Sequence, residues 1–334
     1  MPGRPTFASL ARSFRLGLAL ALASGCGLAC AQSEGAPRPA AAAPAEAGGA
    51  IAVLVPDVVE PYRSVFAKII EGIEAAAHAR VKTFPVGSAV DAADLNARLK
   101  GAGAKIVIAL GRQGLKASEG LDSRLTLVVG GVMLLPEAEH NTLSGISLTP
   151  DPALLFARLK SLQPATKRVL VVYDPGHNEW LIKLAREAAR AHGLELVPYE
   201  ARDLAAAAKA YETLFATADG RRDAVWLPQD PTTVEESTLL PLVLKESWNR
   251  NLAVFSSNYL HVKKGALFVL YPNNLELGRD LGNTALKLLA GDTSRGMLPL
   301  REVYTGINLR SASHIGLNLS SEQQRSFDSV FPEQ

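Results

Sequence analysis

The stretch RVLVVYD, residues 168–174, decides the fold, because an earlier stretch, IAVLVPD at 51–57, repeats its plan. Each is a short apolar run rich in Val, Leu and Ile that ends on Asp. Continuous apolar runs of this length are strands buried on both faces, as in parallel sheets covered by helices. Outward from the first lie VKTFPV (81–86), KIVIALG (105–111) and LTLVVGGV (125–132). Outward from the second lie LELVPYEA (194–201), DAVWLPQ (223–229) and LAVFSSN (252–258). Helical spacing fills the gaps. Val65, Phe66, Ile69, Ile70 and Ile73 recur at i, i+3 and i+4, which predicts a helix over 62–79, and a second over 92–100. In the second series helices are expected near 178–192, 203–217 and 236–250, the first closed by Gly193 at a C-cap position. Two βαβ series predict two similar α/β lobes.

Other segments join the series. NTLSGISLTPDP (141–152) reads as a strand crossing between lobes, followed by a helix over 152–162. ALFVLYP (266–272), a helix over 274–290 and REVYTGINL (301–309) supply two further crossings, and a terminal helix is expected at 320–327. The lobes are therefore expected at 51–145 plus 268–297, and 146–267 plus 298–334, with a hinge at Ser144, Gly145 and Ile146.

The amino terminus differs in kind. Basic residues Arg4, Arg12 and Arg15 precede the apolar run LGLALALA (16–23) and small residues, the layout of an export signal. The run is well below the ~20 residues that span a bilayer. Two cleavage positions stand open: before Gln32, after Ala29-Cys30-Ala31, or before Cys26, which would then carry lipid. The Ala/Pro/Gly-rich residues that follow, to position 50, suit a tether. The expectation is a periplasmic protein, soluble or lipid-anchored at Cys26. The whole chain has 35 Lys+Arg against 33 Asp+Glu, or +2. Without residues 1–31 and their three arginines the balance is 32 against 33, or −1. So near-neutral a chain argues against nucleic acid as partner.

Chemistry is sparse. The six histidines have no zinc spacing, and no P-loop, dinucleotide fingerprint or G-x-S-x-G elbow occurs. No metal, no cofactor and no catalytic group is expected. Parallel sheets bind ligands beyond the carboxyl ends of their strands. Those ends give Asp57, Tyr62, Gly111, Arg112, Gln113, Gly131 and Met133 in the first lobe. In the second they give Tyr173, Asp174, His177, Asn178, Gln229, Asp230, Ser256, Ser257, Asn258 and Tyr259. Polar side chains and rings with polar tips suit a cleft for a small polar ligand. Arg112 suits a carboxylate. Asp57, Asp174 and Asp230 also suit capping, the duller role and the one favoured here. Trp226 is expected in the core and Trp248 in packing. Trp180, opening a helix beside His177, is a candidate to face ligand.

Four stretches carry a resemblance: NTLSGIS (141–147), LFARLKSLQPATKRVLVVYDPGHN (155–178), LGRDLGNTALKLLAGD (277–292) and INLRSASHIGLNL (307–319). In this order and spacing the chain from Ile51 to Phe327 resembles the periplasmic substrate-binding proteins of ABC importers, most closely the tryptophan/tyrosine type. The resemblance implies the type I periplasmic binding fold: two Rossmann-like lobes with parallel sheets, joined by crossing hinge segments. It implies a monomer that closes on an amino-acid-like ligand and delivers it to an ABC permease. The alternative is a sensor or adaptor on the same lobes that docks to a membrane receptor.

Overall fold

A computed structural model describes residues 49–133, 135, 137–140 and 142–332. The expected signal, both cleavage positions, Cys26 and nearly all of the tether lie outside the described residues.

The first sheet is built from β1 (Ile51–Pro56), β2 (Lys82–Val86), β3 (Ile106–Leu110), β4 (Thr126–Val132), β5 (Ser144–Pro150) and β11 (Gly296–Leu300). Its order is β2-β1-β3-β4-β5-β11, and its pairings are parallel. The second contains β6 (Arg168–Tyr173), β7 (Glu195–Glu200), β8 (Asp223–Leu227), β9 (Ala253–Ser256) and β10 (Phe268–Pro272), with β12 (Val303–Asn308) and β13 (Ser329–Phe331). Its order is β7-β6-β8-β9-β10-β12-β13, antiparallel only between β10 and β12. The first five strands of each lobe thus follow one order, 2-1-3-4-5, as the repeated motif predicts.

Helices cover both faces. The first lobe has α1 (Tyr62–Ala77), α2 (Ala92–Gly101), α3 (Gly111–Ser118) and α4 (Glu137–His140). The second has α5 (Pro152–Leu162), α6 (Pro175–Ala191), α7 (Leu204–Thr217), α8 (Leu239–Asn249) and α9 (Tyr259–Lys264). Then α10 (Asn274–Leu289) returns to the first lobe, and α11 (Leu309–His314) and α12 (Ser321–Arg325) close the chain. The apolar stripe of α1 meets that of α10 in one core: Ile69 and Ile73 pack with Leu277, Leu281 and Ala285. Their backbones nearly touch. A Cβ on Gly278 would stand 2.0 Å from the Ile69 carbonyl oxygen, and one on Gly72 would stand 2.0 Å from that of Leu275. The LGRDLGN motif is therefore a packing requirement: only glycine permits this approach.

Strand membership moves the expected boundaries. Gly145 does not lie at a crossing. It sits inside β5 between β4 and β11, where a Cβ would stand 2.0 Å from the Val129 carbonyl oxygen. Ser144, Gly145 and Ile146 are buried ladder residues and not a hinge. Likewise β10 belongs to the second sheet and β11 to the first. The chain crosses at Pro150–Pro152, Pro272–Asn274 and Leu300–Val303. These crossings are laced together. Asp151 N–H donates to the Leu300 carbonyl at 2.8 Å, and Asn273 N–H to that of Glu302 at 3.1 Å. Arg301 pairs with Asp151 at 2.9 Å. Val303 packs against the cores of both lobes.

Candidate functional site

The carboxyl ends of the strands face one another across a cleft. A cavity of about 230 Å³ opens there, lined by Met133 of the first lobe and by Pro228, Gln229, Asp230, Pro231, Val234, Glu236, Asn258 and His261 of the second. Two loops build it, one after β8 and one after β9.

Asp230 organises the first loop. Its Oδ2 accepts from Asp174 N–H at 2.7 Å and Asn178 Nδ2 at 3.0 Å; its Oδ1 accepts from the N–H groups of Thr232 and Thr233, both at 3.0 Å. Asp174 caps α6 through Gly176 N–H at 2.9 Å and accepts from Thr232 Oγ1 at 3.0 Å. This cap starts the helix at Pro175, three residues earlier than periodicity alone suggests. Both buried carboxylates are thus held by dipoles, and neither has an ion-pair partner among the described residues. The capping role favoured by sequence is the one these two aspartates fill.

The second loop carries a row of three polar groups. Ser256 Oγ lies 2.7 Å from His261 Nδ1, and His261 Nε2 lies 3.1 Å from Glu236 Oε1. Asn258 N–H donates to Ser256 Oγ at 3.1 Å. The serine proton therefore goes to Nδ1, and the neutral imidazole donates from Nε2 to Glu236. Burial pulls the His261 pKa down, against the opposing pull of Glu236. Glu236 in turn is held below the usual carboxylate range, chiefly by its bond to Lys264. The row has the components of a nucleophile–base–acid set in the reverse sense, since the serine is on Nδ1. Ser256 is wholly buried, so its hydroxyl braces the loop and does not meet the cleft.

Of the residues singled out in sequence, Met133, Gln229, Asp230 and Asn258 line the cavity. Gln229 Nε2 donates to the Ser257 carbonyl at 2.9 Å, and Asn258 caps α9. Ser257 Oγ is buried without a hydrogen-bond partner among the described residues. Asp57, Tyr62, Arg112 and Gln113 stand on the opposite rim, at the ends of β1 and β3. Arg112 and Gln113 fall in the first turn of α3, which follows β3 with no loop. Gly111, with φ of 65°, makes the sharp turn from β3 into α3, and Gly131, with φ of 69°, sits within β4 at the irregularity between Gly130 and Val132. His177 is half-buried at the start of α6.

Besides Ser256, four expectations do not survive as ligand contacts. Tyr173 is buried, and its hydroxyl donates toward Glu179 at 3.0 Å and Glu200 at 3.3 Å. Burial and both carboxylates push its pKa up. Tyr259 is half-buried and packs on Tyr271 and Phe331 at the edge of the lobe core. Asn178 is buried and spent on Asp230 and the Gln229 carbonyl. Trp180 is buried against His140 of the first lobe, ring centroids 4.3 Å apart, and so bridges the lobes. Sequence reading missed Glu236 and His261. The signal was a histidine three residues after the Asn258 cap, one turn into α9. Trp226 is core as expected. Trp248 stacks on His314 at 3.5 Å and stays half-exposed.

The profile of the family described as ABC transporter substrate binding protein matches residues 145–325, more than half of the 334. The chain belongs to this family. Solved structures agree on the fold. An ABC domain from Streptococcus pneumonia, solved in complex with L-Trp, is 17% identical, with a TM-score of 0.51 over 84% of this chain and 100% of that one. A substrate binding protein with adhesive properties from Clostridium difficile, in its ligand-free, open structure, is 16% identical, with a TM-score of 0.57 over 84% of this chain and 98% of that one. No curated protein sequence matches. This ABC substrate-binding protein has the type I periplasmic binding fold, and such proteins are extracytoplasmic ligand binders.

Proposed function

We propose that the protein captures a small amphiphilic, amino-acid-like ligand in the cleft, closes on it, and delivers it to an ABC permease. The observation that carries this reading is the cavity, whose lining mixes apolar Met133, Val234, Pro228 and Pro231 with polar Gln229, Asn258 and His261. Such a lining grips an apolar body and orients a polar head. The second lobe supplies a finished half-site. The first supplies Asp57, Tyr62, Arg112 and Gln113, which reach the ligand on closure. Motion takes place at the three laced crossings. Closure is a shift between open and closed populations, driven by contacts made only when closed.

Calorimetric titration with aromatic and aliphatic amino acids, short peptides and purine-like compounds tests the reading. A ligand at 100 times its Kd raises stability by roughly 2.7 kcal/mol. Gln229→Ala and Asn258→Ala are expected to weaken binding, while Tyr173→Phe leaves it unchanged. Absence of binding across the whole panel would count against the proposal.

A further inference from the structure

The cleft cavity carries charge of one sign. The charged side chains that line it, Asp230 and Glu236, are both acids. Burial holds His261, the other titratable group of the lining, toward its neutral form. Asp174 stands directly behind Asp230, donating its N–H to Oδ2 at 2.7 Å. Both aspartates are buried and meet dipoles, so their negative field is felt in the cavity. Of the bases on α9, Lys263 lies over the rings of Tyr259 and Phe331, 5.3 Å and 5.2 Å from their centroids. Lys264 binds Glu236. Neither lysine lines the cavity.

Asp230 is not a direct contact for a ligand. It is 3% exposed, and both of its oxygens are occupied by donors of the loop. Glu236 is the accessible acid, with its side chain 47% exposed. Its Oε1 is aimed by His261 Nε2 at 3.1 Å and Asn258 Nδ2 at 3.4 Å. Its Oε2 holds the Lys264 ammonium. The chain thus already seats a primary ammonium, its own, on the one exposed carboxylate of the lining. Lys264 is 44% exposed at the last position of α9, so this pair is weak and the lysine returns to water at little cost. Gln229 spends its Nε2 on the Ser257 carbonyl at 2.9 Å, which leaves its oxygen as the acceptor on the same lining.

We propose that the second-lobe half-site selects a primary ammonium head, that Glu236 is its receptor, and that Lys264 is an internal competitor which the ligand displaces. The proposal rests on capture of a ligand in the cleft and adds which end of it the second lobe holds. Met133, Pro228, Pro231 and Val234 receive the apolar body. A carboxylate has no part in this recognition. Facing Asp174, Asp230 and Glu236 it is repelled, so an organic amine meets the half-site as well as an amino acid does. Lys264 also sets a threshold. Being tethered, it outcompetes small free cations, which gain nothing from the apolar lining; a cation with an apolar body prevails over it.

The test is calorimetric titration of the whole protein with each aromatic and aliphatic amino acid in three forms: the free amino acid, its decarboxylated amine and its N-acetyl derivative. The N-acetyl forms, which lack the ammonium, are expected to bind wild type roughly tenfold or more weakly than the other two. Glu236→Gln keeps an oxygen for His261 and removes the charge; it is expected to bring the amino acids and amines down to the N-acetyl level. Lys264→Gln is expected to tighten both roughly two- to fivefold. The opposite signs identify a competitor, since a pair that only braces the loop would lose affinity with either change. The unliganded Tm of each variant checks its fold, and the wild-type titrations decide the head group without any variant. The proposal is overturned if N-acetyl forms bind as well as free amino acids, a result that leaves capture in the cleft standing. It is also overturned if the amines bind no better than the N-acetyl forms, or if Lys264→Gln weakens binding. Absence of binding by every form removes the cleft reading itself and this proposal with it.

Discussion

The two lobes share a strand order but not a rim. In the second, Asp174, Asp230, Asn178 and Thr232 bind one another, and beside them Ser256 binds His261, in a braced wall beneath the cavity. In the first, Asp57 and Arg112 are exposed, and Val59 and Tyr62 stand out at 73% and 63% exposure. The topology is duplicated because it depends only on the alternation of apolar strands and amphipathic helices. The rims differ because loops escape that constraint. The comparison teaches a division of labour: one lobe presents a rigid half-site, and the other presents side chains ordered by what they close upon.

The sharpest way to break this comparison is to remove the brace. Asp230→Ala strips partners from three backbone N–H groups and Asn178, and is expected to cost about 3 kcal/mol in urea unfolding. Asp57→Ala, at the equivalent height on the other rim, is expected to cost under about 0.5 kcal/mol. Equal losses would mean that the rims are built alike.

A second contrast concerns where the first lobe is rigid instead. Its brace is the α1–α10 contact behind the sheet. Gly278→Ala puts a methyl against the Ile69 carbonyl and is expected to cost about 2 kcal/mol. Gly193→Ala in the second lobe meets nothing within 4 Å and strains only a φ of 64°. About 1 kcal/mol is expected there. Thermal unfolding of the two variants ranks them.

The third concerns pH and centres on His261 of the second lobe. Burial lowers the folded pKa of His261 below its ordinary 6.5. The unfolded chain then binds the proton first, so stability is full above about 6.5 and falls as pH drops from there toward the folded value. His261→Gln is expected to flatten this slope in urea titrations between pH 7 and 5 (a range set by the ordinary histidine value). An unchanged slope would place the titrating group elsewhere.

The smallest effect is expected at the crossings. Arg301→Ala removes a pair whose arginine is 67% exposed, worth under about 0.5 kcal/mol. Its informative readout is small-angle scattering. A larger mean radius without ligand would show that the Asp151–Arg301 lace biases the lobes toward each other.

Legibility followed burial. Strands and helices of both series fell where periodicity put them, since a run buried on two faces must be apolar throughout. Six elements escaped: the short helices α3, α4, α9 and α11 and the strands β11 and β13. GMLPL at β11 reads as linker because its partner β5 lies some 150 residues away in the chain. GRQGLKAS at α3 is short and polar and starts on the last strand residue. SVF at β13 is an edge. Within the site, Asp174 and Asp230 were visible as strand-end carboxylates, and so was their capping role. Tyr173 and Tyr259 were misplaced because position along a strand or helix does not say which way a ring turns. Gly145 was visible as special, but the reason was a neighbouring carbonyl and not a hinge.

The sequence by itself determined two duplicated α/β lobes, the apolar cores within them, and a chain whose basic excess precedes the fold. Local patterns suffice for these, because each strand or helix must bury its own face. Only the tertiary structure decided the crossings, the glycine-tight contact of α1 with α10, and the Ser256–His261–Glu236 row. Each of these joins residues distant in the chain or fixes which way a side chain turns. No local periodicity encodes that; packing does.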